Sequence, residues 1–293
     1  MSQALPIEDT IAARPPVRRP ADAVTANLNF IVPQDTKPVF HSSALTGGAP
    51  KIFFETESRP VTIRDMRPIA GSLSLDREGF ELLRHETAVD DLYDDEAVDN
   101  VYYPELVALL KQRLGASRVV VFDATRRSDG GAGARNRDGL RGPATRVHVD
   151  YTPVSGPQRL KDLLGEEEAT RLLSSGTRIV QVNVWRPIRG PVERSPLALA
   201  DAASVAPEDL LATDQVFPDR VGEIYNVAHN PDQLWYYAPW MTPEEVILIK
   251  GWDSLDDGRA RFTPHGAFDL PDTPAGAAPR ESIEVRTMVI IEE

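Results

Sequence analysis

The chain has 293 residues, of which 41% are hydrophobic and 26% charged, proportions that suit a folded protein with a substantial core. Its formal net charge of −13 argues against a nucleic-acid or anionic-membrane partner, because such partners need clustered Lys and Arg. There is no cysteine, which excludes disulfides, Cys-ligated zinc, iron–sulfur clusters and thiol nucleophiles. Neither a signal-peptide core nor an apolar run of about 18 residues occurs, so a soluble, cytoplasmic protein is expected.

The N-terminal segment 1–28 is predicted to be a flexible arm, because it is polar and Pro-rich over most of its length. Residues 29–293 are predicted to form a single domain. Helices are few in the pattern. Segment 102–115 has leucines at helical spacing, a proline near its start and a terminal glycine, and segment 157–176 predicts two short helices divided by a glycine.

Strands dominate the rest of the chain. Eight turn-bounded segments are rich in β-branched and aromatic residues: 118–123, 146–151, 178–185, 222–227, 233–238, 245–250, 260–265 and 282–292. Because these strands follow one helical region without βαβ alternation, the pattern predicts a mainly β fold with flanking α-helices, built as an antiparallel sandwich or barrel.

One strand has two faces of different character. In RIVQVNVW, the side chains of Gln181, Asn183 and Trp185 point to one side and three valines point to the other. The valine face indicates core. The mixed face is typical of a polar cavity lining, although an exposed face has the same pattern.

The segment RVHVDYTP places His148 and Asp150 on one face of a strand, because residues two apart share a face. The pair is either half of a metal site or a buried hydrogen-bonded pair. With His265 in RFTPHGAF, two histidines and one carboxylate make the facial triad of non-haem Fe(II) oxygenases, and the same ligands suit a catalytic zinc. The remaining histidines lie in segments expected at the surface or in loops: His41, His85 and His229.

The side chains of the last predicted strand favour iron over zinc as the metal. Arg280, Ser282, Glu284 and Arg286 share a face, and two arginines with a serine suit a carboxylate. An Fe(II) enzyme that uses 2-oxoglutarate needs a cation for the far carboxylate of that co-substrate, whereas a zinc hydrolase has no such need. A surface pattern of Glu and Arg is the simpler alternative.

A second basic group precedes the histidine strand. The segment VFDATRRS contains Asp123, Arg126 and Arg127. These side chains either pair with one another or steer an anionic substrate.

Six motifs in order resemble one enzyme family: HVDYTP, VNVWRP, SPLALAD, WYYAPWMTPEEVILIKGWDS, RFTPHGAF and PRESIEVR. The chain from about residue 29 to the C-terminus is similar to the Fe(II)/2-oxoglutarate-dependent hydroxylase/desaturase family, which includes the gibberellin desaturase, the aspirochlorine-cluster hydroxylase and a cephalosporin methoxylase component. The resemblance implies a double-stranded β-helix, or jelly-roll, core.

The resemblance also implies site residues. His148, Asp150 and His265 match the metal triad, and Arg280 with Ser282 matches the Arg-x-Ser pair that holds 2-oxoglutarate. One departure is that Arg280 lies 15 residues after the distal histidine, where about ten is common in this class, and Arg286 lies 21 after it. Arg286 therefore competes with Arg280 as the anchor.

The implied protein is an Fe(II)/2-oxoglutarate-dependent dioxygenase that uses O₂. It would hydroxylate, desaturate or cyclise a small molecule, of the kind found in secondary metabolism, by C–H hydrogen abstraction. The sequence names neither the substrate nor the oligomeric state. Candidates to line the substrate pocket, each also suited to the core, are Tyr151, Asn183, Trp185, Trp235 and Tyr236. A zinc-dependent hydrolase and a non-catalytic jelly-roll binding module remain as alternatives.

Overall fold

The structure is a computed structural model and describes residues 22–137 and 139–292. Most of the described chain is strand. The strands are β1 (Ala23–Ile31), β2 (Val39–His41), β3 (Lys51–Ile52), β4 (Thr56–Asp65), β5 (Phe80–Arg84), β6 (Arg118–Ser128), β7 (Ala134–Asn136), β8 (Gly139–Arg141), β9 (His148–Val149), β10 (Arg178–Pro187), β11 (Leu197–Ala200), β12 (Leu210–Val216), β13 (Val221–Val227), β14 (Trp235–Tyr237), β15 (Glu245–Asp253), β16 (His265–Ala267) and β17 (Glu281–Ile291).

The helices are short and occur between strands along the chain. They are α1 (Ser43–Thr46), α2 (Asp95–Ala97), α3 (Tyr103–Leu114), α4 (Ser155–Leu164) and α5 (Glu166–Ser174), with a π-helical turn at Val98–Tyr102 and 3₁₀ turns at Arg67–Ser72, Ala202–Ser204 and Pro207–Asp209. Helix α3 ends at Gly115, whose left-handed backbone terminates the helix as its sequence predicted. The two helices predicted in 157–176 are also confirmed, with Gly165 between them.

The strands form two main sheets and one small hairpin. The larger sheet has the order β1-β4-β14-β11-β16-β9-β13-β12-β2-β3, and the smaller has the order β5-β15-β10-β17-β6. Nearly all neighbours are antiparallel, the exceptions being the parallel pairs β12–β2 and β14–β4. Two facing, mainly antiparallel sheets with few helices form a double-stranded β-helix, so the predicted fold class is confirmed.

Every predicted strand is present, although one is shorter than predicted and another is displaced along the chain. The segment predicted at 146–151 is a strand only at His148–Val149, and the one predicted at 260–265 begins at His265. The predicted arm boundary at residue 28 is wrong, because β1 begins at Ala23 and pairs antiparallel with β4 along its whole length. The arm up to residue 21 lies outside the described residues.

The core confirms the two faces of β10. Val180, Val182 and Val184 pack beneath helix α3, whereas Trp185 packs in the cluster between the two sheets. Gln181 and Asn183 are 0% exposed, which excludes a solvent-facing explanation of the polar face. The inner face of the smaller sheet therefore carries buried polar groups, as a cavity lining would.

A glycine in α4 gives a test of the core under the helices. A Cβ on Gly156 would lie 2.4 Å from Cδ2 of the buried Trp252 indole, whereas a Cβ on Gly48 meets nothing within 4 Å. We expect Gly156→Ala to lower the free energy of unfolding by about 1–3 kcal/mol through overpacking. Urea denaturation checks this, with Gly48→Ala as the control; equal midpoints for the two variants would contradict the packing.

Candidate metal centre

Two neighbouring strands of the larger sheet present the histidines. His148 on β9 pairs directly with His265 on β16, and the centroids of their rings are 4.6 Å apart. Asp150 follows β9 by one residue. Its carboxylate and the two imidazoles offer ligand atoms that all lie within 4.8 Å of one another. The structure thus brings together the three residues that the sequence singled out.

Backbone carbonyls orient both imidazole rings. Nδ1 of His148 lies 2.9 Å from the carbonyl oxygen of Arg146, and Nδ1 of His265 lies 3.0 Å from that of Thr263. A carbonyl oxygen can only accept, so each Nδ1 carries the proton and donates. Each neutral ring is left with a lone pair on Nε2, which is the atom that a metal ion needs.

Asp150 is fixed by side chains of the smaller sheet. Its Oδ2 accepts a hydrogen bond from Nδ2 of Asn183 at 2.6 Å and lies 3.4 Å from Nε of Arg286, while Oδ1 lies 3.6 Å from Nε2 of His148. Nε2 of Gln181 donates in turn to Oδ1 of Asn183 at 2.6 Å. The polar face predicted for β10 therefore orients the carboxylate rather than contacting a substrate through Asn183.

The charges in the site favour metal binding. Burial, reinforced by the neighbouring His265, lowers the pKa of His148 to about 3, so the imidazole stays neutral. Burial alone would raise the pKa of Asp150, but the Arg286 guanidinium, the two neighbouring histidines and the Asn183 hydrogen bond together outweigh it and hold that pKa well below its usual range. A neutral imidazole at His148 and an ionised carboxylate at Asp150 are the protonation states that a divalent cation requires of these ligands.

Arg286 on β17 and Arg280, the residue just before this strand, differ sharply in their partners. Arg286 is ion-paired with Glu284 at 2.6 Å and with Asp123 at 2.6 Å, besides its contact with Asp150. The Arg280 side chain is 3% exposed, yet its Nε and Nη2 have no hydrogen-bond partner in the described structure. Burial lowers the pKa of Arg280 to about 10.

The cavity at the triad is lined from both sheets. Its walls, besides His148 and His265, are Arg127, Ala144, Trp185, Leu197, Ala267, Arg280, Glu284 and Arg286. Sequence analysis missed Glu284 as a wall residue, although it shares the face of Arg280, and it left the place of Arg127 open. Ser282 is buried on the same face, between Arg280 and Glu284.

The aromatic candidates separate into two groups. Trp185 lines the cavity, and Tyr236 packs against the cluster that contains Trp185. Trp235 and Tyr151 do not line this cavity and take the alternative place in the core. Trp235 points to the opposite face from Tyr236, into the cluster with Phe30 inside the curl of the larger sheet. Tyr151 lies just after β9 has ended, and its ring packs under helices α4 and α5.

Comparisons with known proteins agree with a site for Fe(II) and 2-oxoglutarate. The family model described as "Oxidoreductase/YMDC permease-like domain" matches residues 28–290. A hydroxylase/desaturase of Hormonema carpetanum, efuI, is 36% identical over 85% of this chain and 88% of its own. The alpha-ketoglutarate-dependent dioxygenase phiK of a fungal species is 36% identical over 79% of this chain and 84% of its own.

A solved structure shows the same fold. The iron and alpha-ketoglutarate-dependent endoperoxidase NvfI, a protein of Aspergillus novofumigatus, superposes with a TM-score of 0.81 at 29% identity and covers 93% of this chain and 99% of its own. The chain belongs to this family of Fe(II)/2-oxoglutarate-dependent oxygenases. Membership sets aside the zinc hydrolase and the binding module. No helix in the described part of the chain is long and apolar enough to cross a membrane, despite the word permease in the family description.

The depressed pKa of His148 predicts the pH dependence of metal-free protein. The unfolded imidazole takes up a proton below its ordinary pKa of 6.5 and the folded one does not, so stability is lost as the pH falls from 6.5. We expect His148 to contribute a loss of at most about 1.4 kcal/mol per pH unit between pH 6.5 and about 5.5, above the range in which unfolded carboxylates take up protons. His85, whose pKa is also lowered by burial, adds to the loss in the same direction.

Urea denaturation of apo-protein across this range measures the slope. His148→Gln should reduce the slope and leave the contribution of His85, whereas His41→Gln, at a histidine outside the triad, should leave the slope unchanged. An unchanged slope in the His148 variant would show that another group carries the pH dependence.

Proposed function

We propose that His148, Asp150 and His265 bind Fe(II) through the two Nε2 atoms and one carboxylate oxygen. The observation that supports this is their convergence within 4.8 Å, with both Nδ1 atoms already engaged by carbonyls. The three residues lie on the neighbouring central strands β9 and β16 of one sheet, or directly after β9. A metal ion held by two histidines and one carboxylate would keep coordination positions for the co-substrate and O₂.

We propose further that Arg280 anchors the far carboxylate of 2-oxoglutarate, with Ser282 beside it. The support is the buried guanidinium with two unpartnered nitrogens in the wall of the triad cavity. A planar fork of donors matches a carboxylate. Arg286, the competitor, already has carboxylate partners, so we assign it to the orientation of Asp150 instead.

When bound, Fe(II) together with 2-oxoglutarate and O₂ supplies the oxidant that takes a hydrogen atom from an unactivated C–H bond. The protein orients both imidazoles through backbone carbonyls, keeps the His148 imidazole neutral and surrounds the site with side chains such as Trp185 and Leu197 that exclude water. We infer a small-molecule substrate of secondary metabolism, from the relatives, with hydroxylation, desaturation or cyclisation as the outcome. We also infer one oxygenase domain from the first strand to the C-terminus.

An anaerobic titration tests these assignments. Apo-protein receives Fe(II) and then 2-oxoglutarate, and the metal-to-ligand charge-transfer absorption is followed. We expect a band in the wild type, no band in His148→Ala, and a Kd for 2-oxoglutarate raised about 100-fold in Arg280→Gln, since a charge-assisted bidentate contact is lost. Arg135→Gln, a change at an exposed arginine, is the control and should leave the titration unchanged.

Other outcomes would identify the error. A Kd unchanged in Arg280→Gln would remove the anchor assignment while leaving the triad intact. A band that persists without the His148 imidazole would place the metal elsewhere. Wild-type protein that gives no band would contradict the proposed function as a whole.

A further inference from the structure

A second arginine in the same cavity has no carboxylate partner. Arg127 lies on β6, opposite Ser282 of β17, and lines the cavity together with the histidines and Arg280. Its one hydrogen bond is donated by Nη1 to the carbonyl oxygen of Gly142 at 3.0 Å. It forms no ion pair with any residue of the described ranges, and burial lowers its pKa.

The neighbours of Arg127 are already engaged. Glu284 is ion-paired with Arg286, and so is Asp123, which stands on the same strand as Arg127. The adjacent Arg126 donates instead to Asp95 and to the carbonyl oxygen of Leu92. The alternative that the three charged residues of VFDATRRS pair with one another is therefore wrong.

The position of Arg127 differs from that of Arg280. Strand β6 is the edge strand of the smaller sheet, and the Arg127 side chain is partly exposed. Arg280 directly precedes the inner strand β17 and is buried. A molecule that enters after 2-oxoglutarate has bound therefore meets Arg127 at the rim of the cavity.

We propose that Arg127 binds a carboxylate of the substrate and so selects small molecules that carry one. The inference rests on the proposed function, in which Arg280 is occupied by 2-oxoglutarate. A guanidinium with free donors discriminates an acid from its neutral amide, because the charged hydrogen bonds are lost in the amide. Arg127 would thus hold one end of the substrate while the C–H bond to be attacked lies toward the triad.

Matched pairs of acid and amide test the proposal. Benzoate, benzamide, cyclohexanecarboxylate and cyclohexanecarboxamide are titrated calorimetrically into anaerobic protein saturated with Fe(II) and 2-oxoglutarate. The charge-transfer band is followed to show that 2-oxoglutarate stays bound. We expect each acid to bind wild type about 10-fold or more tightly than its amide. Arg127→Gln should abolish this preference, and Arg127→Lys, which keeps the charge without the fork, should retain part of it.

Three comparisons separate the explanations. The Kd for 2-oxoglutarate should be unchanged in Arg127→Gln but raised in Arg280→Gln, and Arg135→Gln should keep the acid preference. A preference that survives in Arg127→Gln, or equal binding or no binding of acid and amide to wild type, would overturn the proposal. A Kd for 2-oxoglutarate raised equally by both substitutions would overturn it too, and would make Arg127 part of the co-substrate anchor. If the proposed function itself is wrong, wild-type protein will not bind 2-oxoglutarate, and this result is seen before any acid or amide is added.

Discussion

The Asp150 carboxylate is held from the opposite sheet, and the metal centre depends on that contact. His148 and His265 belong to the larger sheet, whereas the hydrogen bond from Asn183 and the charge of Arg286 come from the smaller one. Removing one partner of a buried ion pair costs about 3–5 kcal/mol, because the remaining charge is left uncompensated. The three ligands can therefore take up this arrangement only when the two sheets pack correctly against each other. Formation of the metal site thus depends on the folding of the whole jelly roll.

We propose different roles for Arg280 and Arg286 because their surroundings differ. Arg286 sits in the middle of β17, where Glu284 and the edge strand supply carboxylates. Arg280 stands next to the start of that strand, and the nearby Asp129 accepts hydrogen bonds from Arg194, Ser195 and the backbone N–H of Arg280 itself. An unpaired buried guanidinium is costly, so a bound carboxylate stabilises the protein as well as the complex.

Sequence periodicity predicted the parts of this site that lie on long regular strands. The faces of β10 and β17 followed from alternation, and so did the common direction of Arg280, Ser282 and Arg286. Alternation gives two faces but does not say which faces the cavity, and for that reason Trp235 was assigned wrongly while its neighbour Tyr236 points to the metal side. Tyr151 was misplaced because β9 is only two residues long and the chain leaves the strand before it.

Other features depend on contacts between segments distant in the chain. Our proposal of Arg280 rather than Arg286 as the anchor depends on the positions of Asp123 and Asp129, which lie more than 130 residues away in the chain. Arg127 faces the cavity because β6 pairs with β17, a register that no local pattern encodes. Strand β1 was not predicted, because the segment before it is polar, although Leu28 and Phe30 of this strand are fully buried.

The most direct test is a crystal structure of the protein prepared anaerobically with Mn(II), in place of Fe(II), and 2-oxoglutarate. The account predicts one metal ion on His148, Asp150 and His265, and the far carboxylate of 2-oxoglutarate on the Arg280 guanidinium, with Arg286 still paired to Asp150. Density for that carboxylate on Arg286 or Arg127, or a metal ion bound away from the triad, would contradict it.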